Sequence, residues 1–139
     1  MFHLQPEDED ADREVLVAET TRLEQVDLKT IDDFCEEQGI AHVGFLKMDT
    51  EGSDLDVLRG AENILRNQDV DIVQVEAGTN QQNRYHVHLE HFSRFLEERD
   101  YHLFGIYDQM NEWIAGGPNL RRVNPIFISG RVVKSNTAA

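Results

Sequence analysis

Two carboxylates follow the most apolar stretch of the sequence. Residues 43–48 are an almost unbroken apolar run, and Asp49 and Glu51 come directly after it. Such a run predicts a strand that is buried on both faces, as in a parallel sheet. Side chains two apart on an extended backbone project to the same side. The pair could therefore bind a hard cation or supply a general base, although a solvated acidic turn before a helix has the same composition.

A third carboxylate, Glu76, ends the next apolar run, residues 70–76. If the two strands are neighbours, Glu76 lies about 5 Å from Asp49, at the edge of an open α/β sheet where ligands collect. Lys47 interrupts the first apolar run, and a buried lysine needs an opposite charge, so we expect a neighbouring carboxylate to pair with it. The candidate catalytic residues are Asp49, Glu51, Glu76 and Lys47.

Three histidines follow the second strand in a loose H-x-H-x-x-H pattern: His86, His88 and His91. Histidine is a good zinc ligand, but this spacing matches no standard zinc site and no cysteine supports it. We therefore expect solvated histidines at the start of a helix and assign no metal ligand.

The remaining pattern predicts the elements that position these residues. Thr30 and Gly39 mark the two ends of a first helix that buries Cys35. Ser53 and Asp56 resemble a capping box. The other predicted segments are helices at 54–67 and 88–99, strands at 13–18, 23–28, 101–107 and 124–129, and a loop at 108–120. The two strands that flank the second helix predict a parallel βαβ crossover.

The length, net charge and cysteine content limit the classes of partner and compartment that we expect. The chain has 139 residues and a net charge of −14, which indicates one domain and disfavours nucleic acid or an anionic membrane as a partner. Its one cysteine, Cys35, cannot form an internal disulfide, so we expect a reducing cytoplasmic setting. We divide the chain into a flexible acidic lead-in at 1–12, one domain at 13–130 and a tail at 131–139.

Several segments together resemble one enzyme family. Residues 46–52 (LKMDTEG) followed by 57–61 (VLRGA) are similar to the signature of the FkbM-type methyltransferases. Further matching segments lie at 28–34, 73–76, 101–104 and 124–128, so that the resemblance covers about residues 26–129.

The resemblance implies a partial Rossmann-like methyltransferase fold of class α/β, with a mostly parallel sheet and an antiparallel last strand. It also implies S-adenosylmethionine as cofactor and a hydroxyl group of a sugar or another small metabolite as substrate. In such folds a carboxylate in the position of Asp49 faces cofactor and substrate, with Glu51 and Glu76 as companions. The family's N-terminal cofactor-binding strands and glycine-rich turn have no counterpart here, so activity of this chain alone is left open. The alternatives are a non-catalytic binding or assembly module and a metal-dependent hydrolase.

The missing strands have a consequence for assembly. The outer neighbour of the strand at 43–48 would belong to them, and an unpaired apolar edge invites another chain. We therefore predict a homo-oligomer with Phe45 and Leu46 at or beside the contact, unless residues 13–18 fold back to cover the edge.

Overall fold

The structure, a computed structural model, describes residues 25–80, 83, 85–114 and 117–137; the predicted lead-in at 1–12 and strand at 13–18 lie outside these ranges. The helices are α1 (Ile31–Gln38), α2 (Asp54–Arg59), α3 (Glu62–Arg66), α4 (Leu89–Glu97) and α5 (Gly130–Thr137). The strands are β1 (Val43–Lys47), β2 (Val70–Gln74), β3 (Ala77–Gly78), β4 (Tyr101–Ile114) and β5 (Gly117–Ser129). None of the helices in this part of the chain has the length and apolarity needed to cross a membrane.

All five strands belong to one mixed sheet. β1 pairs with β2 in parallel, with Val43 opposite Val70, as the βαβ pattern predicts. β5 is antiparallel to β2, β3 and β4: it pairs with β2 and then β3 along one side and with β4 along the other. The antiparallel last strand is therefore confirmed. The mostly parallel sheet is not confirmed, because β1–β2 is the one parallel pairing among these strands.

β1 is the edge strand of the described sheet. Most of its residues are exposed, and Phe45 keeps 51% of its surface accessible. The prediction of a strand buried on both faces is therefore wrong, since the apolar run reflects only its pairing with β2 and partial cover. Lys47, at the end of β1, is exposed as well.

Helix α1 has both predicted ends. The Thr30 hydroxyl accepts a hydrogen bond from the Asp33 amide (3.0 Å), and Gly39 ends the helix in the left-handed conformation at φ 65°. Cys35 is buried, 5% exposed. The strand predicted at 23–28 is wrong, because residues 25–28 have no regular structure.

The helix predicted at 54–67 is divided in two at Gly60. Its carbonyl accepts from the Asp32 amide (2.9 Å). The Asp32 carboxylate in turn accepts from the amides of Asn63 and Ile64 at the start of α3. These contacts replace the continuous helical hydrogen bonds, so the single-helix prediction is wrong. The helix does begin at Asp54, but the capping box is also wrong, because the Ser53 side chain makes no capping bond.

β4 and β5 form a long antiparallel ribbon across most of the region predicted to be a loop. The polar residues of 108–120 led to the prediction of a loop. A ribbon that extends past the core exposes both faces, so it tolerates polar residues. An ion pair between Glu112 and Arg121 (3.3 Å) links the two strands there. Residues 131–137, part of the predicted tail, are helical in α5.

The core lies between the sheet and helices α2 to α4. Its largest buried side chains include Tyr101, Phe92, Phe127, Leu58 and Leu65. The Tyr101 hydroxyl donates to a β2 carbonyl (2.7 Å), and burial raises the pKa of this phenol well above its usual range. The core thus fixes the carboxyl ends of β1 and β2 against the segments that follow them.

Candidate functional site

The turn after β1 presents the acidic residues. Glu51 and Gly52 both have positive φ angles, 52° and 109°. A Cβ atom on Gly52 would lie 2.6 Å from the Tyr85 carbonyl oxygen, so only glycine fits this close approach. The turn is therefore packed against the backbone that leads into His86, and this contact brings the Glu51 carboxylate to that histidine.

Asp54 joins the turn to the end of β2. Its side chain is 2% exposed, and one carboxylate oxygen accepts from both the amide (2.8 Å) and the hydroxyl of Thr50. The other oxygen accepts from the Glu76 amide (3.3 Å). A buried carboxylate that accepts several hydrogen bonds fixes the groups around it. Asp54 therefore sets the position of the acidic turn relative to Glu76.

Glu76 is buried, 5% exposed, between β2 and β3. Its Oε1 forms an ion pair with the guanidinium of Arg122, which β5 places opposite Gly78. Its Oε2 lies 2.6 Å from His86 Nε2, but the approach lacks hydrogen-bond geometry, so no hydrogen-bond donor reaches this oxygen within the described residues. Glu76 therefore ends its strand inside the protein and not at the surface.

His86 is held by Asn83. The Asn83 side-chain amide donates to the Arg121 carbonyl (3.0 Å), and its Oδ1 accepts from the backbone amides of Tyr85 and His86. The same Oδ1 lies 3.1 Å from His86 Nδ1. Since this oxygen can only accept, Nδ1 carries the proton. The His86 ring is 5% exposed, and its Nε2 faces Glu76.

The structure thus brings together Glu51, Glu76 and His86, whose nearest ligand atoms lie within 4.8 Å of one another. Glu51 Oε2 is 3.7 Å from His86 Nε2. Asp49 is exposed and stands outside this group. Lys47 forms no ion pair with a carboxylate in the described part of the chain, so the predicted pairing is wrong.

The other two predicted histidines have different surroundings. His88 is the N-cap of α4, where its Nδ1 accepts from the Glu90 amide (3.3 Å). His91 lies in the first turn of the same helix, and the two rings line a polar groove beside His86. The expectation of histidines at a helix start is confirmed for His88 and His91, whereas His86 belongs to the carboxylate group.

No sequence pattern indicated a role for Asp54, Asn83 or Arg122. Arg122 would have been found had the β4–β5 ribbon been predicted, because the register of β5 puts this residue opposite Gly78, two residues after Glu76. The function of Asp54 was hidden by its position as an ordinary first residue of a helix. These three side chains orient Glu51, Glu76 and His86.

Chemically, the group offers two carboxylates and one imidazole, whose Nε2 faces them, at the open edge of a sheet. Glu51 is 77% exposed and accessible to a ligand from solvent, whereas Glu76 and His86 are fixed and buried. Such a set can accept hydrogen bonds from hydroxyl groups, accept a proton, or bind a cation.

A family model described as the methyltransferase FkbM domain matches residues 2–103. This match starts closer to the N-terminus than the resemblance traced above and ends at β4. No curated protein matches the chain.

Proposed function

Because the chain belongs to the FkbM methyltransferase family, we propose that it transfers a methyl group from S-adenosylmethionine to a hydroxyl of a sugar or another small metabolite. The observation that carries the proposal is the meeting of Glu51, Glu76 and His86 at the carboxyl ends of β1 and β2, inside the matched region. Hydroxylated acceptors suit this site, since its carboxylates and imidazole accept hydrogen bonds from hydroxyl groups.

The cofactor proposal rests on Asp49. It is exposed just beyond β1, so its carboxylate can face the bound cofactor and the acceptor together. When bound, the cofactor supplies an electrophilic methyl group. The sequence contains no G-x-G turn to bind the methionine moiety through its backbone. We therefore expect this chain to bind the cofactor no more tightly than about 1 mM, or about 4 kcal/mol.

The side chains divide the remaining work. Asp49 accepts the proton of the acceptor hydroxyl, while Glu51 and Glu76 orient the acceptor. The Arg122 ion pair and the Asp54 hydrogen bond fix the direction of the Glu76 carboxylate. Lys47 is kept as a proposed catalytic residue because it lies two residues before Asp49 in the chain.

Methyl transfer is tested with isotopically labelled S-adenosylmethionine at millimolar concentration and a panel of sugars and small hydroxylated acceptors. We expect slow labelling of at least one acceptor, and Asp49→Asn should lower the rate at least tenfold, a typical contribution of a general base. Asp56→Asn is the control, because that side chain is 74% exposed and outside the site. Equal rates for the wild type and Asp49→Asn would contradict the proposed base.

Neither the fold nor the family match favours the binding module or the hydrolase over methyl transfer. The compartment is also part of the proposal: a cytoplasmic setting is compatible with Cys35, a buried free thiol.

We also propose that the chain self-associates through the edge at β1. Phe45 is exposed there and lines, with Phe104 and Val132, an apolar groove of about 490 Å³. An unpaired edge beside an apolar face is a typical site for addition of another strand. Light scattering after size exclusion at about 100 μM should show a dimer or larger assembly. Phe45→Lys should give a monomer, and Tyr85→Lys, a change at a 68%-exposed aromatic that does not line this groove, should not. A monomeric wild type would refute this.

A further inference from the structure

We propose that Glu51, Glu76 and His86 bind a divalent first-row transition-metal ion such as Mn²⁺ or Zn²⁺. The sequence pattern assigned no metal ligand to any of these residues. Each offers one ligand atom, and the three atoms lie within 4.8 Å of one another at the same edge of the sheet. This inference goes beyond methyl transfer and is tested without the cofactor.

The orientation of His86 is the first argument. Two backbone amides and the Arg121 carbonyl determine which end of the Asn83 amide faces the ring. Nδ1 of His86 therefore donates to Asn83 Oδ1, and Nε2 is the ring nitrogen that faces the carboxylates. Metal-binding histidines characteristically donate the other ring N–H to an oxygen acceptor, which fixes the tautomer and the ring direction. Asn83 has this function here.

Glu76 is the second argument. Its side chain is 95% buried, and Oε2 lies 2.6 Å from His86 Nε2 but accepts no hydrogen bond from the described residues. Burial of an unpaired carboxylate oxygen is costly, about 1–3 kcal/mol or more for a charged group. Because the approach lacks hydrogen-bond geometry, a proton on Nε2 would not point at this oxygen and would leave it unsatisfied. A metal ion bound by both atoms would satisfy the buried oxygen.

The spacing and charge suit such an ion. Ligand atoms at about 2.1 Å from a metal in tetrahedral or octahedral geometry are about 3.0–3.4 Å apart. The two distances to His86 Nε2, 2.6 Å from Glu76 and 3.7 Å from Glu51, bracket this range, and the exposed Glu51 can adjust. Arg122 takes the other oxygen of Glu76, so this carboxylate binds through one atom.

The ligand types select the metal. An imidazole with two carboxylates favours first-row transition ions over Ca²⁺ and Mg²⁺, which prefer oxygen alone. The exposed side of Glu51 leaves positions on the ion open to solvent, where an oxygen ligand would be polarised.

The experiment titrates the full chain with Mn²⁺ and measures the free ion by electron paramagnetic resonance. We expect the wild type to bind one Mn²⁺ ion per chain. Glu51→Gln should weaken binding at least tenfold, in the range found when a supporting group of a metal site is removed. This variant should fold, since the side chain is 77% exposed. Asp49→Asn removes the same charge two residues away and should change the affinity less than twofold.

Three results would overturn the proposal. The first is no saturable binding of Mn²⁺ or Zn²⁺ below about 1 mM, the affinity of a nonspecific contact. The second is equal weakening by Asp49→Asn and Glu51→Gln, which would indicate attraction by the net charge of −14 alone. The third is a nitrogen-15 spectrum with both ring nitrogens of His86 protonated in the presence of the ion, since a proton would then occupy the ligand position. A wild-type chain that binds Mn²⁺ but transfers no methyl group would instead count against the proposed function.

Discussion

Replacing Asp54 with asparagine should destabilise the fold by about 2 kcal/mol. Asn Oδ1 can keep the two hydrogen bonds from Thr50, but the amide nitrogen then faces the Glu76 N–H, donor against donor. An orphaned buried N–H costs about 1–3 kcal/mol, and each bond from Thr50 loses about half its strength when the acceptor becomes neutral. Relief of a buried charge close to Glu76 offsets part of this loss.

Urea denaturation followed by circular dichroism measures the change, with Asp56→Asn as the matched control. Asp56 lies two residues further on the same helix but is 74% exposed, so its substitution should change the free energy of unfolding by less than about 0.5 kcal/mol. Because Asp54 positions both sides of the site, Asp54→Asn should also weaken Mn²⁺ binding in the protein that remains folded. Equal stability of the two variants would refute the assignment of Asp54 as the link between the turn and β2.

Three further substitutions test the surrounding structure by the same denaturation assay. Gly52→Ala should cost about 1–3 kcal/mol because of its positive φ and close carbonyl contact, whereas Gly44→Ala, with no atom within 4 Å of the added Cβ, should cost less than about 0.5 kcal/mol; similar losses would contradict the argument. Burial raises the pKa of Glu62, but hydrogen bonds and charge, chiefly from Arg99, outweigh burial and leave the pKa below its usual value. The ionised form is therefore favoured by folding, so the stability advantage over Glu62→Gln should be full at neutral pH and should disappear as the pH falls through the folded-state pKa, below about 4.5; an advantage that persists in acid would be inconsistent with this. Tyr101→Phe should cost about 1 kcal/mol through the lost hydrogen bond to β2, and an unchanged midpoint would show that this bond contributes nothing.

The features predicted correctly are those that depend on residues close together in the sequence. Thr30 and Gly39 defined α1 because both caps act within one turn of the helix. The parallel pairing of β1 and β2 followed from two apolar runs around a helical pattern. The order of the carboxylates along the chain also indicated the correct edge of the sheet, since strand ends and turns are marked in the sequence.

The errors come from contacts between distant segments. The break at Gly60 depends on Asp32, and burial of Glu76 depends on Arg122 from the ribbon; neither pairing leaves a local signal. Exposure of Lys47 follows from the edge position of β1, which periodicity alone does not reveal. Asn83 orients His86 toward Glu51 and Glu76. A pattern made of the three histidines alone therefore did not identify these carboxylates as its partners.

The ribbon also determines when the site can form. Glu51 and Glu76 are synthesised before Arg122, which lies on the second strand of the β4–β5 pair. Until that strand inserts between β2 and β4, Glu76 has no guanidinium and Asn83 has no Arg121 carbonyl to hold its amide. Non-local strand pairing is slow because the intervening chain must first be closed into a loop. Ligand binding at this edge would therefore report that the ribbon has paired with β2, and a chain interrupted before the ribbon would lack Arg121 and Arg122 and therefore a competent site.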